Sequence, residues 1–236
     1  MKIRKVRMAR RRPNGNTESV DNYLKAILTL GGGGGDACRV ASKSLAERLG
    51  VAPASVTNML QKLAGAVSPL VEYERHRGVR LSAAGKKRAL EVVRHHRLIE
   101  TFLYEVLDYP LEEVHEEAER LEHFISERFE ERIAAKLGHP KTDPHGHSIP
   151  TMDGEMAAQE SMRLADVLEG GSFRIDSVDD RDAGILRSLE ANGIKAGAKL
   201  KVKPRTAEGY RVNVGRSTKA LDLSQEMAGD IRIVRD

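Results

Sequence analysis

The chain has 236 residues, 40% hydrophobic and 31% charged, which suffices for one large domain or a few small ones, and its single cysteine excludes an internal disulfide and a zinc site made of cysteines. Residues 1–90 carry 18 Lys and Arg against 6 Asp and Glu, whereas residues 91–140 carry 6 against 13. The basic residues 1–90 favour a polyanionic partner, and the acidic middle, residues 91–140, favours cations. The sequence shows no signal peptide and no apolar stretch of ~20 residues, so we expect a cytoplasmic protein without membrane contact.

The N-terminal third contains a basic arm and a pair of short helices. Residues 1–19 include the run Arg10–Arg12 and almost no apolar periodicity, so we expect a flexible arm that either contacts phosphate or is simply solvated. A helix follows and ends at Gly31–Gly35, which is predicted to be a loose connector. Two further helices, joined by a tight turn at Gly50, predict a helix-turn-helix.

A predicted β-hairpin over residues 69–82 follows the helix pair directly, which is the order of elements in a winged helix. The helix over 53–64 is the predicted recognition helix, since small residues at its start would let it approach a groove floor. The residues that we expect at DNA are Ala54, Ser55, Thr57, Asn58, Gln61 and Lys62 on this helix and Arg75, Arg77 and Arg80 on the hairpin. Small helix pairs often have polar outer faces, so the hairpin and the basic charge are what favour DNA binding.

The acidic middle predicts a long helix over 83–107 and a second helix over 111–137. The candidate metal ligands are His96 and Glu100 at i, i+4 on the first helix, and His115, Glu119, Glu122 and His123 at i, i+4, i+7 and i+8 on the second. Carboxylates beside an apolar stripe would repel each other and resist desolvation, and a divalent cation would remove both costs. Spacing alone leaves a metal site and a solvated acidic face as equal alternatives.

The remainder of the chain changes character twice. Residues 138–150 are too rich in Pro and Gly for regular structure, and a chain reversal explains His139, His145 and His147 better than metal ligation does. From about residue 160, short alternating segments predict a small β-barrel that is interrupted by one helix over 183–192.

Enzyme signatures are missing from the sequence. It contains no Gly-x-Ser-x-Gly, phosphate-loop or His-Glu-x-x-His motif. Dinuclear metalloenzymes on helical bundles use Glu-x-x-His from two helices, but Val93 and Arg120 occupy the positions three residues before His96 and His123. We therefore expect no enzyme and no organic small-molecule substrate, with a dinuclear metalloenzyme as the alternative from another class.

The chain resembles the diphtheria-toxin-repressor-like, metal-dependent transcriptional regulators over about residues 20–236. The motifs that carry the resemblance are residues 20–24 (VDNYL), 53–57 (PASVT), 77–85 (RGVRLSAAG), 95–100 (HHRLIE), 114–123 (VHEEAERLEH), 143–146 (DPHG) and 149–150 (IP). The resemblance implies a mainly α fold with small β parts. Its predicted parts are an arm (1–19), a winged helix-turn-helix domain (20–84), a helical metal-binding and dimerisation domain (85–150), a linker (151–160) and an SH3-like β-barrel (161–236).

The resemblance also implies two metal positions. His96, Glu100 and His115 match the family's ancillary position, and Glu119, Glu122 and His123 match its primary or shared position. The family's first-helix ligand falls on Asn22, so either its amide oxygen or the neighbouring Asp21 would ligate, and Lys25 stands where some members have a glutamate. In iron-type members of the family the C-terminal domain supplies metal ligands. The matching stretch here is residues 179–184, and we assign no ligand within it.

These expectations combine into one mechanism. Glu119 and Asn22 offer hard oxygen donors where iron-type members have Cys and Met, which favours Mn²⁺, although Fe²⁺ and other divalent ions would bind in vitro. We expect a homodimer that Mn²⁺ locks for binding to double-stranded operator DNA, as a repressor of metal-uptake genes. An iron-dependent repressor and metal-independent DNA binding beside a vestigial acidic helix remain alternatives.

Overall fold

The computed structural model describes residues 17–32, 38–157, 160–204 and 209–236. Most of the predicted basic arm and residues 33–37, which include much of the glycine run, lie outside the described residues. The chain divides into two compact units. The first unit comprises residues up to 95 together with 121–132 and 150–156, and the second comprises 96–120, 133–149 and 157–236.

The first unit contains the predicted helix-turn-helix and hairpin. Its elements are α1 (Thr17–Leu30), α2 (Ser42–Leu49), α3 (Pro53–Ala64), β1 (Val71–Glu74), β2 (Gly78–Leu81) and the beginning of α4 (Ala83–Leu107). Gly50 ends α2 in the left-handed conformation with φ 63°, and Pro53 begins α3 at a position that needs no backbone N–H. The strands pair antiparallel, with Val71 opposite Leu81. The winged helix-turn-helix is therefore confirmed.

Apolar side chains from the three N-terminal helices and the hairpin share one core in the first unit. Leu24 of α1, Leu45 of α2 and Leu60 of α3 are each 0% exposed. Burial of a leucine stabilises a fold by about 1.5–3 kcal/mol relative to exposure, so these contacts hold α1 against the helix pair. Val79 of β2 joins this core and forms a two-way backbone bridge with Val40.

Residues 111–137 form two helices, so the prediction of a single helix there is wrong. α5 covers Leu111–Leu121 and α6 covers Glu127–Lys136. The Phe124 N–H donates to the Leu121 carbonyl in a turn, and the Ser126 hydroxyl accepts the Phe129 N–H at the start of α6. Ser126 thus caps a new helix, and Glu122 and His123 lie in the turn rather than on a helix face.

The second unit contains an antiparallel six-stranded sheet. Its strands are β3 (Met162–Arg163), β4 (Gly171–Val178), β5 (Lys199–Val202), β6 (Tyr210–Val214), β7 (Leu221–Leu223) and β8 (Ile231–Arg235), in the order β3-β8-β4-β5-β6-β7. Two short helices accompany them, α7 (Ala183–Ala191) and α8 (Gln225–Gly229). Alternate strand residues form a core that includes Leu111 of α5. A bulge in β4 shifts its register with β8 between Ile175 and Ser177.

No helix among the described residues combines the length and the apolar character that crossing a membrane requires.

The strongly periodic elements agree with the predicted ones, among them the long helix α4 at Ala83–Leu107 and the strands of the C-terminal sheet. The Ser82 hydroxyl accepts the Gly85 N–H and so caps α4, as expected for a serine directly before a helix.

Gly85 provides a test of the packing between α4 and the hairpin. A Cβ at this residue would lie 1.9 Å from the Leu70 carbonyl oxygen, so the backbone itself would have to move. We expect Gly85→Ala to lower the free energy of unfolding of the metal-free protein by about 1–3 kcal/mol in urea titrations. Gly229→Ala is the control, because that position has open space around it, and equal effects of the two substitutions would contradict the packing.

Candidate metal centre and DNA-binding face

The structure brings together three of the predicted ligands in the second unit. His96 and Glu100 lie one turn apart on α4, with His96 Nε2 2.8 Å from Glu100 Oε1. His115 of α5 places Nδ1 3.2 Å from both His96 Nε2 and Glu100 Oε1. The side chain of Glu100 is 0% exposed, so its charge depends entirely on these neighbours.

A fourth carboxylate, which the sequence did not identify, joins them from the segment after β4. Asp180 Oδ2 lies 3.3 Å from His115 Nδ1 and 3.8 Å from His145 Nδ1. No local pattern distinguishes Asp180 from the other aspartates of residues 179–184, because only the packing of the folded unit brings it beside His115.

Residues 143–147 contribute three more ligand-type side chains to the same place. His145 is 1% exposed, with Nδ1 3.8 Å from Glu100 Oε1, and His147 Nδ1 lies 3.4 Å from Asp143 Oδ2. The assignment of His145 and His147 to a mere chain reversal therefore missed their surroundings. The reversal and the cluster coexist, because Asp143 Oδ1 accepts the backbone N–H groups of both histidines at 2.9 Å and turns the chain.

Backbone contacts hold this loop and fix the orientation of His145. The Val178 N–H donates to the His145 carbonyl, and a Cβ on Gly146 would lie 2.1 Å from the Asp176 carbonyl oxygen, so only glycine fits there. His145 Nε2 lies 3.3 Å from the Leu111 carbonyl. Donation of the Nε2 proton to this carbonyl leaves the lone pair of a neutral ring on Nδ1, which faces the carboxylates.

We call this group of seven side chains the second-unit cluster: His96, Glu100, His115, Asp143, His145, His147 and Asp180. When no metal is bound, protons balance the charges of its carboxylates. Burial alone would lower the pKa of His115, but Asp180 and Glu100 raise it to about 10. Burial likewise opposes charge on His145, yet Glu100 and Asp180 raise its pKa to about 9.

The remaining titrations agree with this balance. Burial would raise the pKa of Asp180, but its contacts with His115 and His147 hold it well below its ordinary value. Against burial, Asp143 and Asp180 raise the pKa of His147. Two buried atoms, Glu100 Oε2 and His145 Nδ1, have no hydrogen-bond partner among the described residues, so the donor set fits a divalent cation.

A separate group of predicted ligands lies in the first unit. This first-unit cluster comprises Asp21 and Asn22 of α1 with Glu122 and His123 of the turn after α5. His123 Nδ1 lies 3.6 Å from Asp21 Oδ2, and His123 Nε2 lies 3.4 Å from Glu122 Oε1. The His123 side chain is 2% exposed, and both its ring nitrogens lack a hydrogen-bond partner in the described part of the chain. The buried Asn22 Oδ1 also has none there, so these donors too fit a cation.

Two cationic side chains already contact the first-unit cluster. Lys25 Nζ lies 2.8 Å from Glu122 Oε2, and Arg88 Nε lies 2.6 Å from Asp21 Oδ1. The replacement of a family glutamate by Lys25 therefore has a direct structural consequence, since its ammonium neutralises one ligand. His95, next to His96 in the sequence, is buried rather than on the surface, and its Nδ1 contacts the Glu122 carbonyl at 3.1 Å.

Glu119 follows His115 by one turn of α5. Its Oε1 lies 3.9 Å from His115 Nε2, and its side chain is 37% exposed. The structure therefore places Glu119 beside an imidazole, as the i, i+4 spacing predicts.

The predicted DNA-contacting residues form an exposed face of the first unit. Ala54, Ser55, Asn58, Gln61 and Lys62 of α3 are exposed, as are Arg75, Arg77 and Arg80 of the hairpin, and Thr57 is half-buried. The Thr57 hydroxyl donates to the Pro53 carbonyl within α3. Arg77 and Arg80 contact Glu74 and Glu72 of the hairpin, and such exposed ion pairs are weak enough for phosphate to replace.

A basic groove of about 380 Å³ lies where the hairpin meets the helix pair. Its lining includes Arg39, Ser42, Thr57, Arg75 and Arg77. A winged helix with such a groove, together with two buried sets of carboxylates and imidazoles, defines the class of metal-responsive DNA-binding proteins.

Comparisons with known proteins agree with this class. The family described as the N-terminal DNA-binding domain of iron-dependent repressors matches residues 16–79, and that described as their metal-binding and dimerisation domain matches residues 82–151. A FeoA domain matches residues 162–235 and supplies the SH3-like part. The chain belongs to the iron-dependent repressor family, which includes the diphtheria toxin repressors. It is thus a metal-dependent, DNA-binding transcriptional repressor of a family whose members dimerise, and not an enzyme.

Individual relatives differ in the metal that their descriptions name. The iron-dependent repressor IdeR of Mycobacterium leprae is 28% identical over 93% of this chain and 98% of its own. A manganese-dependent transcriptional repressor solved in complex with manganese is 36% identical, covers 92% of this chain and 99% of its own, and has a TM-score of 0.83. A structure of ScaR with bound Zn²⁺ is 32% identical, over 95% and 100% of the two chains, with a TM-score of 0.77.

Metal binding to the second-unit cluster should release protons. His115 has a pKa of about 10 in the metal-free protein, so it is charged at pH 7, and a nitrogen that ligates must lose its proton. The apparent affinity for Mn²⁺ should therefore rise with pH, by about tenfold per unit for each proton displaced. Titration calorimetry at pH 7.5 in buffers of different ionisation enthalpy measures the released protons.

His115→Gln should release fewer protons than the wild type, whereas the same substitution at the exposed His139 should change nothing. Binding heats that are independent of the buffer would show that no buried imidazole of this cluster gives up a proton.

Proposed function

We propose that the chain is a manganese-responsive repressor that binds operator DNA as a homodimer when divalent ions occupy its two clusters. Its targets would be metal-uptake genes, and it would act in the cytoplasm, where its operator is. The observation that supports the metal dependence best is His123, whose two ring nitrogens are buried between the carboxylates of Asp21 and Glu122. A buried imidazole with neither nitrogen hydrogen-bonded is costly unless a ligand completes it.

The ligand assignment follows from the donors present. Asp21 or Asn22, together with Glu122 and His123, would hold one ion, and His96, Glu100 and His115 would hold another, with Asp180 and His145 beside them. Glu119 is proposed as a further ligand. All these donors are oxygens or imidazole nitrogens, without cysteine or methionine, which favours Mn²⁺ over ions that select softer ligands. The similarity to a manganese-dependent repressor supports this choice, and the similarity to IdeR keeps iron as the alternative.

Metal binding can act on DNA binding through α1. Asp21 and Asn22 belong to this helix, and Leu24, one turn away, is buried in the core that also contains Leu45 of α2. Asp21 or Asn22 of α1 and Glu122 and His123 of the turn would hold the ion, which would tie α1 to that turn. The same helix supports the helix pair that presents α3 to DNA. Coupling of this kind is typically worth 1–3 kcal/mol and is reciprocal, so operator DNA would tighten metal binding equally.

The proposed contacts divide into two kinds. Asn58 is exposed on α3 and would read a base, because its amide can pair with adenine through two hydrogen bonds. Arg75 and Arg77 would contact the phosphate backbone from the hairpin, and Ala54, Ser55, Thr57 and Lys62 would line the α3 contact. In a homodimer, two such helices would enter major grooves about one DNA turn apart, ~34 Å.

The proposal is tested by fluorescence anisotropy of labelled operator DNA, obtained by selection from a random library, with Mn²⁺, with Fe²⁺ under anaerobic conditions, or with chelator. We expect chelator to weaken binding about fivefold to 150-fold and Mn²⁺ to restore it at a lower free concentration than Fe²⁺. Restoration by Fe²⁺ at the lower concentration would favour an iron-dependent repressor, and chelator-insensitive binding would contradict any metal dependence.

Substitutions at two proposed ligands, His123 of the first-unit cluster and Glu119 of α5, test the ligand assignment. His123→Gln and Glu119→Ala should abolish the effect of Mn²⁺ on anisotropy while circular dichroism remains native, because they remove donors without altering the helix pair. Glu113→Gln is the matched control, since Glu113 is exposed on α5 and is not a proposed ligand. The assignment is wrong if the His123 variant still requires Mn²⁺ for tight binding.

Base and phosphate contacts make different predictions for DNA binding. Asn58→Ala should reduce the preference for the selected operator over scrambled DNA by about 1–3 kcal/mol. Arg77→Ala should weaken binding to both DNAs and reduce the slope of log K against log salt by about 1. Equal losses on both DNAs for Asn58→Ala would remove it as a base-reading residue.

A further inference from the structure

The second-unit cluster contains more ligand groups than one ion requires. One set that can converge on an ion comprises His96, Glu100, His115 and Asp180, and a second, separate set comprises Asp143, His145 and His147. In each set the ligand atoms lie within 4.8 Å of one another. Mn²⁺ prefers an octahedral arrangement, so these side chains together exceed what a single ion can accept.

Asp180 connects the two sets. Its Oδ2 atom lies 3.3 Å from His115 Nδ1 in the first set and 3.8 Å from His147 Nδ1 in the second. His145 Nδ1 is 3.8 Å from the same oxygen and also 3.8 Å from Glu100 Oε1. One carboxylate thus faces imidazoles of both sets, which is the position of a bridging ligand between two ions.

We propose that the second-unit cluster binds a pair of divalent cations rather than one. One ion takes His96, Glu100 and His115, the other takes Asp143, His145 and His147, and Asp180 lies between them. This inference rests on the proposed function, in which the same cluster is a metal centre, and adds a third ion per chain.

The second set is built as a binding site before any ion arrives. Asp143 Oδ1 is fixed by the N–H groups of His145 and His147, which leaves Oδ2 directed at the His147 ring, 3.4 Å from Nδ1. Asp143 Oδ2 and His145 Nδ1 are buried, and neither has a hydrogen-bond partner among the residues that the structure describes. Buried polar atoms of this kind indicate a ligand.

Arg97 also faces this set and determines the order of filling. Its Nε lies 3.6 Å from Asp143 Oδ2, and its guanidinium donates to the Ser148 carbonyl. A guanidinium close to a ligand oxygen repels a divalent ion. The ion on Asp143, His145 and His147 should therefore bind more weakly than the ion on His96, Glu100 and His115, and it should be the last to load.

Native mass spectrometry of the Mn²⁺-loaded full chain counts the ions directly. We expect three per chain for the wild type and two for His147→Ala. Asp143→Asn should also hold two, because its amide oxygen still accepts the N–H groups that shape the loop, whereas the NH₂ group cannot ligate. His139→Ala, a control at an exposed histidine outside both sets, should keep three.

Electron paramagnetic resonance of the same samples gives an independent measure. The wild type should give a broad, exchange-coupled signal from the carboxylate-bridged Mn²⁺ pair beside the resolved hyperfine pattern of the isolated first-unit ion, whereas His147→Ala should keep only resolved hyperfine patterns. A wild type that holds two ions, or a His147→Ala variant that holds three, overturns the pair. If DNA binding remains Mn²⁺-dependent in that case, only this inference fails, whereas chelator-insensitive binding would overturn the proposed function as well.

Discussion

The structure depends on carboxylates that are withdrawn from water and must be neutralised. The side chains of Asp21, Glu100, Glu122 and Asp143 are each 0% exposed. An isolated buried carboxylate would cost several kcal/mol, so each must have a cationic neighbour. Arg88, Lys25 and Arg97 contact three of them, and imidazoles contact Glu100.

Response to metal is therefore a competition between cations. A divalent ion at either cluster would have to displace protons or an ammonium group that already neutralises part of the site. Small zinc domains, in contrast, lack such internal cations and unfold without their metal. Such internal partners would let the chain keep its fold without a bound metal.

Much of the architecture was predictable because local signals determine it. Each of the signals that predicted it spans only a few neighbouring residues. These signals are the helical spacing, the Gly50 turn, Pro53 at a helix start and the alternating pattern of the C-terminal strands. The end of α5 at Leu121 was not predicted, because the sequences of α5 and α6 together form one amphipathic pattern. Ser126, which caps α6, is only a modest signal for a new helix. Glu122 and His123 consequently lie in a turn rather than on the predicted helix face.

The site was only partly predictable because its remaining members come from distant parts of the chain. The i, i+4 pairs on α4 and α5 are local patterns and can be read from the sequence. Asp180 enters the cluster only through the folding of the C-terminal sheet beside α5, and His145 only through the loop that Asp143 closes. No periodicity in the sequence records contacts of this kind, so resemblance or structure must supply them.

The bulge in β4 connects the C-terminal sheet to the second-unit cluster. The strand leaves its regular pairing after Ile175, the Val178 N–H reaches the His145 carbonyl, and Asp180 follows two residues later. Because a slip of one residue would move the whole strand along β8, the register of β4 with β8 also sets where the segment that carries Asp180 begins. Heritable changes deep in this sheet, far from any ligand, would then alter the metal threshold of gene control and would emerge in a genetic screen as metal-sensing alleles.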